Sequence, residues 1–193
     1  MLTGFPRWSL TPTRTLYRAH RRDLSPWWFS SDLSGRFDLI APEGTCYLAS
    51  TQATAARERW GERLVRAGRV SAADADATIV SRLTVPASVA LADTCARRAA
   101  LLGVTREIGT LTPYAVPQAW AAAFTGAGFD GVRYESRFTT GARDRAYAIF
   151  GPAGAGEWAI DTAPVDGRQA AAAAEIFVMP APYSLPTIRP ADR

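Results

Sequence analysis

"GRFDLIAPEGTCYLASTQATAARE" occupies Gly35–Glu58. Its middle, "TCYLAS" (45–50), has the short apolar run of a buried strand. Helix signals follow at once. Ser50 or Thr51 can serve as N-cap, an alanine-rich segment runs to Ala67, and Gly68 closes it. A strand that delivers the chain directly into a capped helix sets the fold class, because both elements need a shared core. The same stretch carries Arg36, Tyr47 and Glu58, spaced eleven and eleven. Whether these three side chains meet is the functional question.

Upstream, "TLYRAH" (15–20) alternates like a short strand. Residues 1–15 hold two prolines and read as an irregular lead-in, and "RRDLSPWWFSSDLSGRF" reads as loop. Downstream, Ser71 caps a short helical turn, "SAADADA". "TIVSRLTV" (78–85) and "SVALAD" (88–93) read as strands. "TCARRAALLG" (94–103) predicts a compact helix capped by Thr94. "TPYAVPQAWAAAFTGAG" (112–128) predicts a helix starting at Thr112 or one turn later, after Pro117. "GVRYES" (131–136) and "RAYAIFG" (145–151) alternate like paired strands around a turn. "GPAGAGE" reads as a loop. A weak helix and a short strand, Glu175 to Met179, come next, and the last ten residues look frayed. Strands and helices alternate without a βαβ rhythm, and there is no internal repeat. The expectation is an α+β domain, a mixed sheet core with flanking helices, over residues 1–193.

The chain of 193 residues is 48% hydrophobic, which fits a packed core and excludes general disorder. No apolar run approaches the roughly 20 residues of a membrane helix, and the N-terminus lacks a secretory pattern, so a cytoplasmic location is expected. Cys46 and Cys95 cannot build a disulfide framework and read as small buried hydrophobes. The net charge is +4 and the pI about 9.5. All 22 basic residues are Arg, and Lys and Asn are both absent. Those two residues lack GC-rich codons, so arginine clusters here carry less functional weight. A lysine Schiff base and an asparagine oxyanion donor are excluded. P-loop, dinucleotide-binding glycine, H-E-x-x-H and G-x-S-x-G patterns are missing, and His20 is the only histidine. A metal centre is not expected.

Five pieces recur in order: "LYRAH" with Arg18 and His20, "GRFD" (Gly35–Asp38), "YLA" (Tyr47–Ala49), a helix with Glu58, and "DGVRYES" ending at Ser136 before "AIF" (Ala148–Phe150). Together they resemble the RES-domain family, named for its arginine, glutamate and serine, over about residues 16–150. The resemblance implies an ADP-ribosyltransferase-like fold with NAD+ as substrate and no resident cofactor. It implies a toxin of a toxin–antitoxin pair, inhibited by a separate antitoxin protein that covers the cleft. The implied reaction is cleavage of the nicotinamide–ribose bond by phosphorolysis, with inorganic phosphate as co-substrate, by hydrolysis, or with ADP-ribose transfer to protein.

Chemistry assigns roles within that resemblance. A pyrophosphate suits the planar, always-charged guanidinium groups of Arg18 and Arg36. Breaking the glycosidic bond develops positive charge on the ribose, which a carboxylate stabilises, and Glu58 is the candidate. Tyr47 can stack on nicotinamide, Ser136 can donate to a ribose or phosphate oxygen, and His20 can bind the adenosine ribose. Each also has an ordinary reading. Arg36 can be a surface arginine, Tyr47 a core tyrosine, Ser136 a turn residue and His20 a structural histidine. Glu58 lies about 200° around its helix from Trp60, off the apolar stripe, and faces either a cleft or water. Glu135, beside Ser136, is a second candidate acid, although strand alternation turns it away. Trp27, Trp28 and Phe29 wall an adenine pocket or pack in the core. The competing class is a basic nucleic-acid-binding module built on Arg14, Arg18, His20, Arg21 and Arg22 beside those aromatics.

Overall fold

The computed structural model describes residues 2–139, 144–160 and 163–180. The chain runs through β1 (Arg7–Leu10), β2 (Leu16–Arg21), β3 (Trp28–Phe29) and β4 (Glu43–Ala49) into α1 (Gln52–Ala67). β5 (Val70–Ser71), α2 (Ala72–Asp76), β6 (Thr78–Leu83), β7 (Val89–Asp93) and α3 (Arg97–Ala100) follow. After a 3₁₀ turn at Arg106–Gly109 come α4 (Ala115–Gly126), β8 (Gly131–Glu135), β9 (Arg145–Pro152), β10 (Gly154–Ala155), β11 (Val165–Asp166), α5 (Gly167–Ala173) and β12 (Val178–Met179).

Eight strands form the main sheet in the order β1-β7-β8-β9-β4-β2-β6-β11. Only β7 and β8 run parallel within it, so the sheet is mixed and the fold is α+β. The decisive junction forms as its sequence dictates. Thr51 caps α1, its side chain accepting from Thr54 N at 3.0 Å, and Gly68 ends it in the left-handed region at φ 64°. Alanines make the inner face of α1 thin enough to lie close to the sheet. Ala55, Ala56 and Trp60 pack with Val80 of β6 and Ala170 and Ala171 of α5. A second cluster joins Phe37, Phe124, Phe129, Val132 and Tyr134 beneath α4.

Several elements differ from the sequence reading. The lead-in contains β1, which pairs antiparallel with β7 at one edge of the sheet. Pro6 and Pro12 flank this strand and do not interrupt it. α3 is four residues long and begins after Ala96, because Thr94 donates its hydroxyl to Arg133 O (2.8 Å) and caps nothing. α4 starts at Ala115, with Pro117 in its first turn, where a missing N–H costs nothing. The glycine loop contributes β10, paired with β3, and the strand expected over Glu175–Met179 is confined to Val178–Met179. The last ten residues lie outside the described residues.

Candidate active-site cleft

β4 pairs with β9 through seven residues and β2 with β6 through six, yet β2 and β4 share only the pair Tyr17↔Ala49. The sheet opens there, and a cavity of about 730 Å³ occupies the opening. Arg18, Arg36, Tyr47 and Glu58 all line it, together with Trp28 and Tyr134.

The "GRFD" turn is held by its own aspartate. Asp38 accepts from Gly35 N (2.9 Å) and from the Tyr47 hydroxyl (2.8 Å), while that hydroxyl accepts from Phe37 N (2.8 Å). A Cβ at Gly35 would collide with the Asp38 carboxylate and the Tyr47 hydroxyl, so only glycine fits. This turn aims Arg36 into the cavity wall. Its Nη1 donates to Leu111 O (2.6 Å), and its guanidinium lies 4.8 Å over the Tyr114 ring. Arg36 is buried, and burial lowers its pKa, with Arg137 acting in the same direction.

Glu58 faces the cavity. Ser136, buried at the end of β8, donates its hydroxyl to Glu58 Oε1, and Phe138 N in turn donates to the Ser136 oxygen (3.3 Å). Burial raises the Glu58 pKa above the ordinary carboxylate range. The Ser136 hydrogen bond and the charges of Arg36 and Arg137 pull it back down. Glu135 points elsewhere, pairing with Arg106 (3.3 Å) and Arg145 (3.6 Å).

The remaining expected residues divide. Arg18 crosses the opening, its Nη1 donating to Pro26 O (2.8 Å), Trp28 O (2.8 Å) and Cys46 Sγ (2.9 Å). The Tyr47 hydroxyl is spent on the "GRFD" turn, and burial holds it protonated, so its first duty is to fix Arg36. Ser136 directs its proton to Glu58, so it bears on a substrate through that carboxylate. His20 is not brought into the lining. Its Nδ1 bonds to the Arg21 carbonyl (2.8 Å) and its Nε2 to the Ser81 hydroxyl (2.9 Å). A carbonyl only accepts, so Nδ1 carries the proton and Nε2 accepts from Ser81. Burial lowers the His20 pKa and favours this neutral ring. Trp27 and Phe29 are core residues and Trp28 alone reaches the cavity.

The basic N-terminal cluster does not form one patch. Arg14 lies over the Trp8 ring, Arg21 pairs with Asp23 (2.5 Å) and Arg22 with Asp166 (3.0 Å), while Arg18 and His20 turn inward. Cys46 is buried and Cys95 partly so, and both are free thiols. Tyr114 beneath Arg36, and Arg137, which bonds Glu62 (3.2 Å), carried no motif signal, whereas Tyr134, packed against Phe37, belongs to "DGVRYES". Arg137 follows Ser136 directly, so the strand end was the one clue to it. Among the described residues no cluster of three His, Cys, Asp or Glu could hold a metal, and no helix is long and apolar enough to cross a membrane.

The mixed sheet with its flanking helices is an ADP-ribosyltransferase-like fold. Among solved structures, the chain matches the M. tuberculosis MbcT–MbcA toxin–antitoxin complex with a TM-score of 0.67 and 14% identity. The match covers 88% of this chain and 91% of that one. No curated protein sequence matches. The family model of the RES domain matches residues 15–183, nearly the whole chain, and the protein belongs to the RES-domain family.

Proposed function

We propose that the protein cleaves the nicotinamide–ribose bond of NAD+ and acts as the toxin of a toxin–antitoxin pair, with a separate antitoxin protein as its inhibitor. One observation carries this reading: Arg36 and Glu58, 22 residues apart in sequence, line one cavity, with Ser136 on the carboxylate. Membership of the RES family and the likeness to a toxin from a toxin–antitoxin complex support it.

In this mechanism the C1′–N bond breaks and nicotinamide leaves with the bonding electron pair, as a neutral base. The ribose carbon becomes electron-poor, and the ionised Glu58 carboxylate stabilises it from the cavity wall. Ser136 keeps the carboxylate in one orientation. Arg36 holds the pyrophosphate by a guanidinium fork already positioned by Leu111 O and Tyr114. An acceptor oxygen then bonds to C1′. Phosphate does so as an anion, whereas water must lose a proton, for which Glu58 is the nearest placed base. The basic N-terminal residues are engaged singly within the protein, so no observation favours the nucleic-acid reading.

The test is nicotinamide release from NAD+ in phosphate and in phosphate-free buffer. The second product separates phosphorolysis, hydrolysis and transfer to protein. Release is expected in at least one buffer, and its absence in both, from protein freed of any partner, overturns the proposal.

A further inference from the structure

Glu58 and Arg59 are adjacent in α1, about 100° apart around the helix, and both line the cavity. Glu58 feels Arg36, Arg137 and Ser136. Arg59 feels Arg63, Asp74, Arg21 and Arg18. Arg59, Arg63 and Arg66 follow at i, i+4 and i+7, and all three line the cavity. Their charges are unevenly compensated. Arg63 pairs with Asp74 (3.3 Å) and Arg66 with Glu62 (3.9 Å). Arg18 bonds only neutral acceptors. Among the described residues, Arg59 has no hydrogen-bonded or ion-paired partner.

Like charges held close together repel, and an anion that joins them relieves the repulsion. Three guanidinium groups in the cavity, Arg18, Arg36 and Arg59, lack a carboxylate partner among the described residues. A pyrophosphate held by Arg36 leaves Arg18, on β2, and Arg59 without an anionic partner among the described residues.

We infer that Arg59, with Arg18 and Arg63, forms a subsite for a phosphate monoester, carried on the substrate at the end remote from the scissile bond. The substrate class then includes, beside NAD+, a dinucleotide bearing an additional phosphate on its adenosine ribose. Free phosphate shares the same chemistry and is the alternative source. A monoester offers close to two charges and three acceptor oxygens, which suits converging guanidinium forks better than a carboxylate does. The naming of a dinucleotide rests on the function proposed above, whereas the subsite itself does not.

The test is calorimetry on the full chain with three probes: adenosine 5′-monophosphate, adenosine 2′,5′-bisphosphate and inorganic phosphate. The bisphosphate is expected to bind at least about tenfold more tightly than the monophosphate, with a steeper salt dependence. Arg59→Ala should abolish that gain and leave monophosphate affinity and melting temperature near the parent values. If inorganic phosphate alone binds in an Arg59-dependent way and erases the gain, the subsite stands and its occupant is free phosphate. Equal affinities with no phosphate binding, a gain that survives Arg59→Ala, or equal weakening of both nucleotides each overturn the subsite. Nicotinamide release, measured separately, reports the reaction: its absence beside Arg59-dependent binding removes the proposed reaction and keeps the phosphate site.

Discussion

Ser136, at the end of β8, donates its hydroxyl proton to the Glu58 carboxylate on the second turn of α1, 78 residues away in sequence. The bond ties the strand end to the helix beside the cavity. It gives a half-buried acid one fixed orientation, and it partly opposes the burial that raises the acid's pKa. The site therefore holds a carboxylate that is costly to ionise and useful once ionised.

Glu58→Gln keeps the size and most of the hydrogen bonding of the side chain but removes the charge. That charge acts mainly in the transition state, so nicotinamide release should fall by roughly 10²-fold or more in kcat with KM little changed. Stability should move the other way. A carboxylate whose folded pKa lies above its unfolded value of about 4.5 holds its proton more tightly when folded. The native state then binds more protons than the unfolded one, and stability is lost as pH rises from the unfolded pKa through the folded one. The glutamine variant lacks this loss, so at neutral pH it should melt at or above the parent temperature, and the two should converge toward pH 4. Parent activity should fall on the acid side at a pH above 4.5. Glu135→Gln, whose side chain lies among Arg106 and Arg145, should retain most activity. A dead Glu135 variant beside an active Glu58 variant would reverse the assignment.

Arg36→Lys tests the guanidinium fork. Lysine keeps the charge but cannot both donate to Leu111 O and present a planar edge to a pyrophosphate while lying over the Tyr114 ring. NAD+ affinity should weaken by about tenfold or more, with a smaller effect on kcat at saturation. Titration calorimetry on the catalytically slowed Glu58→Gln background measures this directly, and unchanged affinity would remove Arg36 from the pyrophosphate.

Much of this architecture could be read from local signals. A cap at Ser50 or Thr51 and Gly68 bracketed α1, with Thr51 the residue that caps it, and the alternation of "GVRYES" and "RAYAIFG" identified β8 and β9 as partners. What escaped depended on distant partners. β1 is four residues whose strand character comes from β7, about 80 positions on. Thr94 looked like a cap because nothing nearby announced Arg133 O as its competitor. The same holds in the cleft. Arg36 and Glu58 were legible from a motif, but the direction of Glu58 depends on where β8 ends. His20 looked available because Ser81, its partner, lies 61 residues away. Arg59 was one arginine among 22, and only the cavity separates it from the rest.

Tyr47→Phe separates a stacking ring from a structural hydroxyl. The phenylalanine keeps the ring at the cavity wall. It leaves Phe37 N without its acceptor and Asp38, a buried carboxylate, without one donor. Burial already raises the Asp38 pKa, so removing a donor to its charged form raises it further. A loss of about 1–3 kcal/mol is expected from the orphaned groups. It should appear as a lower melting temperature together with weaker NAD+ binding, since Arg36 sits on the same turn. An unchanged melting temperature would mean that the hydroxyl does not hold the turn.

Gly61→Ala tests how the Ser136–Glu58 pair is supported from behind. In the middle of a helix, alanine ordinarily stabilises relative to glycine by about 1 kcal/mol. Here a Cβ at position 61 would collide with the Phe138 ring, which lies flush against α1. Phe138 N donates to the Ser136 oxygen, so pushing the ring away moves the group that orients Glu58. Overpacking costs about 1–3 kcal/mol and offsets the propensity gain, so the melting temperature should change little or fall. The sharper expectation concerns catalysis. Gly61→Ala should lower kcat more than it raises KM, because the carboxylate is displaced while the pyrophosphate contacts are not. Phe138→Leu in the same chain relieves the collision and should restore part of the lost kcat, a coupling that a double-mutant cycle reads directly. Additive effects of the two substitutions would show that Phe138 does not transmit the disturbance. Full activity in Gly61→Ala alone would show that the Ser136–Glu58 pair tolerates movement of the helix surface behind it.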